Sequence, residues 1–342
     1  MGSTSWRAPH GERIDCCGEN PIIDRRRVFG RRAESFVLND SSKPVNEPFY
    51  ADRKAQRRNF GRVAQSFARG DALHREVGRR MLERFDVIRL DPARVADLGC
   101  GSGARIEGLA ARFPAARLVG VDLAYPMARA ALPPGSLWRR WFGGGRGRAS
   151  TVNADMASLP FASGAFGLAW SNLALHWMDD PLPALTEAAR VLEVGGLLMF
   201  STLGPDTLKE LRDGFAASDA GAWHVKRFID LHDIGDALGR AGLSAPVMDM
   251  EMLTLTYESL DGLFADLRAT GSVNAMQGRR RGLTAPARLR ALRRTYETLR
   301  RDGRLPATFE VIYGHAWKAA PRVRGGRNAR GESVVAFAPR RK

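Results

Sequence analysis

The chain has 342 residues and a mass of 37.6 kDa, with 44% hydrophobic and 26% charged residues. That composition excludes a chain without a core and a disulfide scaffold, and leaves room for one large domain or two small ones. Its 53 Lys and Arg against 37 Asp and Glu give a net charge of +16, a field that steers acidic protein partners.

The excess is unevenly placed. Residues 1–58 carry 12 Lys/Arg and 8 Asp/Glu, and residues 319–342 carry 7 and 1. A folded nucleic-acid binder concentrates its basic charge on the domain. Here most of the excess lies in tail-like segments, so no nucleic-acid partner is expected. Cys16, Cys17 and Cys100 have no zinc-site spacing and suit a reducing compartment, and no metal is expected. No apolar run approaches the ~20 residues that span a bilayer. The N-terminus lacks a secretory apolar core. A cytoplasmic protein without membrane contact is the expectation.

Residues 1–48 show no sustained period, with Ser41-Ser42-Lys43-Pro44 reading as linker, and are expected to be disordered; 319–342 read the same way. Between them helix and strand alternate. Leu73, Val77, Met81, Phe85 and Ile88 mark an amphipathic helix. Arg94–Leu98 reads as a strand leading into a glycine loop and a helix to about Phe113. A strand at Arg117–Asp122, a helix from Tyr125, and strands at Thr151–Ala154 and Phe166–Ser171 follow. Pro181–Leu192 reads as a helix ended by Gly195-Gly196, before a strand at Leu197–Thr202. Alternation of this kind means an α/β fold, a parallel sheet covered on both faces. Beyond Gly204, helices at about Pro205–Ala217 and Asp230–Ala241 precede an alternating strand at Val247–Tyr257. Helices at about 259–269 and 286–301 and a strand at Thr308–Trp317 complete an elaborated sheet edge with a cap.

The strongest local signal is Val95-Ala96-Asp97-Leu98-Gly99-Cys100-Gly101-Ser102-Gly103. Its glycines let the backbone turn sharply against a ligand. It lacks the G-x-G-x-x-G of a dinucleotide fold and the G-K-[ST] of a P-loop. Asp97, two residues before the first glycine, repels phosphate and suits an amino group. Asp122 ends the second strand, where an acid accepts hydrogen bonds from ribose hydroxyls. Asp155 follows the third strand and suits an adenine amino group, with Met156 packing on the ring.

These residues resemble the class I S-adenosylmethionine-dependent methyltransferases over about 90–204. The resemblance implies a Rossmann-like, seven-stranded, mostly parallel sheet whose last strand is antiparallel, with helices on both faces. It implies a helical cap from the N-terminal helices and a late insertion. It implies S-adenosylmethionine as methyl donor. Asp97, Gly99, Gly101 and Gly103 would surround its methionine part, Asp122 with Leu123 the ribose, and Asp155 with Met156 the adenine, with Asn172 completing the set.

The fourth strand runs into Trp170-Ser171-Asn172-Leu173-Ala174-Leu175-His176-Trp177, without the [DN]-P-P-[YFW] of nucleic-acid amino-methylating enzymes. Leu159-Pro160-Phe161 through Trp177, Phe200–Leu211, His232–Leu238, Asp266–Gly271 and Leu305–Trp317 together resemble the malonyl-[acyl-carrier protein] O-methyltransferases of biotin synthesis, over about 56–318. Phe67 stands where that family commonly has Tyr, and His74 where it commonly has Gln. The resemblance implies methylation of the free carboxylate of a malonyl thioester on acyl-carrier protein, an acidic partner. Arg268, His176 and Trp177 are the substrate-binding candidates, and no residue is assigned as acid or base. His176 reads equally as a general base or as a side chain packed beside Trp177. A hydroxylase-type assembly factor of respiratory complex I shares some of these segments, so arginine hydroxylation remains an alternative. So do methylation of another small carboxylate and a binding protein that has kept the cofactor pocket. The expected organisation is an extension (1–48), a methyltransferase domain (49–318, core 90–204, cap and sheet-edge elements 205–318) and a tail (319–342). The connection 133–150, with Trp138-Arg139-Arg140-Trp141-Phe142, reads as a long variable loop, a carrier-docking element, or a nucleic-acid or membrane contact.

Overall fold

The computed structural model describes residues 50–104, 106–131, 149–219, 222–282 and 284–320. The extension 1–48, the tail from 321 onward and most of the 133–150 connection lie outside them. Five strands follow the sequence expectation closely: β1 (Arg94–Leu98), β2 (Arg117–Asp122), β3 (Ala149–Asn153), β4 (Phe166–Ser171) and β5 (Leu192–Leu203). With β6 (Leu243–Tyr257) and β7 (Leu305–Lys318) they form one seven-stranded sheet in the order β3-β2-β1-β4-β5-β7-β6. Strands β1 to β5 pair in parallel, and β7 runs antiparallel between β5 and β6. This is the class I methyltransferase sheet.

Period-two alternation splits the core into two layers. Val95, Leu118, Leu168, Trp170, Met199 and Val311 face one layer. Ala96, Val119, Val121, Ala169, Leu198 and Ile312 face the other. Every residue of β4 is buried, as a central strand covered on both faces requires.

The covering helices are α1 (Arg53–Val63), α2 (Ala72–Glu83), α3 (Ile106–Arg112), α4 (Tyr125–Ala130), α5 (Leu182–Val191), α6 (Lys209–Ser218), α7 (Leu231–Arg240), α8 (Leu260–Ala269) and α9 (Pro286–Glu297). Asp52 caps α1 by accepting from Ala55 N at 3.0 Å. In α2, Leu73, Val77 and Met81 form the buried stripe, while the outer face carries an arginine–glutamate network. Arg80 reaches Glu251 on β6, and Arg84 bonds Asp249 at 2.9 Å and lies 4.4 Å above the Tyr313 ring. These contacts fasten α2 to the late strands. Among the described residues, no helix is long and apolar enough to cross a membrane.

Several boundaries differ from expectation, and those at β5 and α6 are set by long-range contacts. Gly195-Gly196 lie inside β5, within a register shift against β4 between Phe166 and Leu168. The helix expected from Pro205 begins only at Lys209. The preceding turn is held by β7: Glu310 Oε2 accepts from Asp206 N at 2.7 Å, and Leu208 N donates to Thr308 O at 2.6 Å, with Leu208 at φ 52°. The helix expected over 286–301 stops at Glu297, before a tight turn where Arg301 and Arg304 bridge.

Near one edge of the sheet Gly314 on β7 lies between Phe200 on β5 and Met248 on β6. A Cβ there would sit 2.3 Å from Phe200 Cζ and 2.8 Å from Met248 Sδ. Gly314→Ala is therefore expected to cost about 1–3 kcal/mol by overpacking. Thermal unfolding should shift down by several degrees, and Phe200→Leu in the same chain should restore part of the loss.

Candidate functional site

From β1 the chain passes to β2 and β3 on one side of the sheet, then returns to β4 on the other. The carboxyl ends of β1 and β4 thus flank a switch point, where such sheets bind ligands. The glycine loop leaves β1 here. Gly99, Gly101 and Gly103 have φ of +79°, +53° and +84°. Gly99 N and Cys100 N both donate to Val121 O, at 2.8 and 3.0 Å. A Cβ on Gly103 would sit 2.6 Å from Ala131 Cα. A Cβ on Gly101 would meet no protein atom within 4 Å, and Gly101 lines an open cleft. Burial, with Asp97 and Asp122 nearby, pushes the Cys100 thiol well up.

That cleft is open to solvent and spans about 780 Å³, with Gly99, Gly101, Asp122, Leu123, Met156 and Asn172 on its walls. Asp122 Oδ2 accepts from Gly101 N at 3.0 Å, and Oδ1 from Ala124 N at 2.8 Å. Burial raises its pKa against those two hydrogen bonds. Each oxygen keeps a lone pair for a diol in the cleft. Asp97 borders a smaller recess of about 360 Å³ beside Gly99 and Gly101. Gly103 lines neither space; it lets the loop close on Ala131.

Asp155 faces the cleft, with Oδ1 accepting from Ala157 N at 3.0 Å. Its other oxygen is paired with Arg53 of α1, which also donates to Met178 Sδ at 3.0 Å. Sequence reasoning missed Arg53, since the pair spans 102 residues. Asn172 has a second task. Leu173 N donates to Ser201 Oγ at 2.9 Å, Ser201 Oγ to Asn172 Oδ1 at 3.0 Å, and Asn172 Nδ2 to His74 O at 2.9 Å. The relay holds Leu173 at φ 47° and ties α2 to the end of β4.

Beyond the cleft lies a mostly apolar cavity of about 1030 Å³. The two spaces share Gln56, His74, Leu173, Trp177 and Ser272. Gln56 is buried and donates to Trp177 O at 3.0 Å. Trp177 meets Phe60 edge-on at 4.9 Å. The two departures Phe67 and His74 touch each other, with ring centroids 5.1 Å apart. His176 lines the cavity between Trp177 and Phe228. Burial first, then Lys226 and His74, lowers its pKa well below the ordinary value, so it is neutral. Its Nδ1 has no hydrogen-bond partner among the described residues.

Arg268 is not brought to the cavity. Leu267 and Thr270 face inward from α8, and Arg268, a helical step round, is exposed with its guanidinium 5.8 Å from the Phe264 ring. Another cation takes its place. Lys226, in the segment before α7, lines the cavity and donates to Asp179 Oδ1 at 2.9 Å and Met178 O at 3.3 Å. Burial lowers its pKa against the pull of Asp179. No local motif marks Lys226. Among the described residues, no three His, Cys, Asp or Glu side chains gather as a metal would need.

Asn172→Ala would leave the buried Ser201 hydroxyl without its acceptor and remove the side-chain bond to His74 O, at a cost of about 1–3 kcal/mol. Amide exchange along α2 should accelerate, while exchange in β1 and β4 stays slow.

Residues 96–200 match the family model described as a methyltransferase domain. The malonyl-[acyl-carrier protein] O-methyltransferase of Gallionella capsiferriformans is 49% identical over 279 residues, covering 82% of this chain and 95% of that protein. That of Laribacter hongkongensis is 48% identical over 300 residues, covering 86% and 99%. That of Methylovorus sp. is 47% identical over 296 residues, covering 86% and 97%. With 47–49% identity over 82–86% of this chain and 95–99% of those proteins, the chain belongs to the malonyl-[acyl-carrier protein] O-methyltransferase family.

Proposed function

We infer that this chain transfers a methyl group from S-adenosylmethionine to the free carboxylate of a malonyl thioester carried on acyl-carrier protein. The product is the methyl ester that starts pimeloyl and biotin synthesis. The observation that carries the inference is the junction at Gln56, His74, Leu173, Trp177 and Ser272. It joins a cofactor-type cleft to a cavity large enough for an acyl thioester arm. The names of the relatives support the same reading. Residues 49–318 are proposed as one catalytic unit, because the sheet and both core layers are assembled within them.

The cleft suits the cofactor on its own chemistry. The spare lone pairs of Asp122 match a ribose diol, the open space at Gly101 admits close approach, and Asp97 in its recess matches an amino group. Met156 supplies an apolar surface for the adenine, and Asp155, oriented by Arg53, an acceptor beside it. When bound, S-adenosylmethionine supplies an electrophilic methyl group on a sulfonium.

The chain's own work is selection, desolvation and alignment. A carboxylate with a reference pKa near ~4 is already ionised at neutral pH, so no base is needed. Burial lowers the pKa of His176 and so makes it a weak base, which accords with that. The Trp177 ring borders both spaces and favours a cation at the junction. The apolar walls strip water from the carboxylate, which raises its reactivity once it is aligned. Lys226 has three N–H donors, two already engaged by Asp179 and Met178, and the third is proposed to select the substrate carboxylate.

Labelled S-adenosylmethionine incubated with malonyl-carrier protein should place label in a base-labile ester; label nowhere, or on an arginine, would overturn the inference. In that assay Lys226→Met should slow turnover by on the order of 10²-fold, since truncating one partner of a buried charge pair costs about 2–5 kcal/mol. Its cofactor affinity should be unchanged, and Arg268→Met should retain near-normal turnover. Asp122→Ala removes a charge-assisted acceptor worth about 1.5–3 kcal/mol, so calorimetry should show cofactor binding weakened roughly tenfold to a hundredfold.

A further inference from the structure

One wall of the cavity is a short pairing between the chain before α1 and the loop after α8. Asp52 N donates to Ala275 O at 2.7 Å, Gln277 N donates to Tyr50 O at 2.8 Å, and Ala51 bridges Met276. Ala51, Ala275 and Met276 line the cavity. The same two segments run on into a separate open groove of about 820 Å³, lined by Lys54, Arg58, Arg279, Arg280 and Arg281 with Asp52. Among the described residues, five cations thus face one acid.

Two of the five have structural partners. Arg279 bonds Asp52 at 3.0 Å, and Arg280 bonds Asp219 at 2.9 Å. Asp219 is buried and also meets His224 at 3.1 Å and Arg288 at 3.5 Å, so the loop is fixed from behind. Lys54, Arg58 and Arg281 are exposed, and among the described residues none has an ion-pair partner. Like charges held this close repel one another, and among the described residues no carboxylate offsets Lys54, Arg58 and Arg281. An anionic partner would relieve that repulsion.

We propose that this groove is the docking face for an acidic carrier protein, whose thioester arm enters the adjoining cavity. The proposal rests on the function inferred above. Ala51, Ala275 and Met276 line the cavity, and Asp52 and Arg279, next along the same two segments, line the groove, so a protein seated on the cations stands beside the chamber its arm must reach. Rim charges of this kind act on encounter rate and salt dependence more than on chemistry. The groove therefore governs how the carrier is captured, while Lys226 and Trp177 govern what happens to the malonyl group.

The test uses the full chain carrying Arg58→Glu with Arg281→Glu, assayed on malonyl-carrier protein and on malonyl-pantetheine, a thioester with no protein attached. At low salt kcat/KM for malonyl-carrier protein should fall by about tenfold or more, and its dependence on salt should flatten. Turnover of malonyl-pantetheine should stay within about twofold of wild type, as expected of rim charges outside the reaction chamber. The neutral pair Arg58→Gln with Arg281→Gln should give a smaller change of the same sign. Arg117→Glu, at the opposite end of β2 and also exposed, should leave both substrates unaffected. An unchanged kcat/KM for malonyl-carrier protein in the charge-reversed chain overturns the proposal. So does an unchanged carrier rate with lost binding to a single-stranded oligonucleotide, which would assign the groove to nucleic acid. A wild-type chain that esterifies neither thioester overturns the inferred reaction itself, and the groove's occupant with it.

Discussion

Three neutral hydrogen bonds hold the active face together. Leu173 N, Ser201, Asn172 and the His74 carbonyl form a chain from the end of β4, across the end of β5, to the first turn of α2. Leu173 sits in the left-handed region, a conformation costly for a side chain with a branched tip, and the relay fixes it. Because α2 is clamped at His74, that ring lines the cleft, the recess and the cavity. The junction between the cleft and the cavity is therefore set by the backbone at one strand end.

Charge is distributed to match. Beside the junction, burial keeps His176 uncharged, and Lys226, which lines the same cavity, is matched to Asp179. Asp179 also accepts from Ala51 N at 2.8 Å, so one carboxylate serves both the buried cation and the strand that closes the cavity. On the outer faces arginine dominates, mostly in exposed pairs such as Arg79 with Glu76 or Arg293 with Asp261. Exposed pairs contribute little to stability. They keep a basic surface soluble and leave the unmatched cations of the groove distinct from it.

The features readable in the sequence are those that local chemistry dictates. Strands β1, β2 and β4 are continuous apolar runs because both faces are buried, and the run itself reports it. The loop glycines and Asp122 could be placed because left-handed backbone and a strand-ending acid are local necessities. What escaped depends on partners far along the chain. The late start of α6 is decided by Glu310 and Thr308, about a hundred residues on. Arg53 meets Asp155, and Lys226 meets Asp179, only after the cap has folded over the sheet. Arg268 looked suitable by type and region, but the helical phase of α8, set by the packing of Leu263 and Leu267, turns it to solvent. A sequence shows which residues are suitable; three-dimensional phase decides which of them arrive.

The glycine loop also contains a built-in gauge. Cys100 lies between Gly99 and Gly101, buried against the backbone of Gly120, with its thiol held protonated by its surroundings. Thiol reagents attack the thiolate and need access, so Cys100 is inert while the loop lies flat on β2. Its alkylation rate, followed on its own peptide apart from those of Cys16 and Cys17, becomes a clock for loop lifting. A ligand that presses the loop down stops that clock without any label being added to the protein.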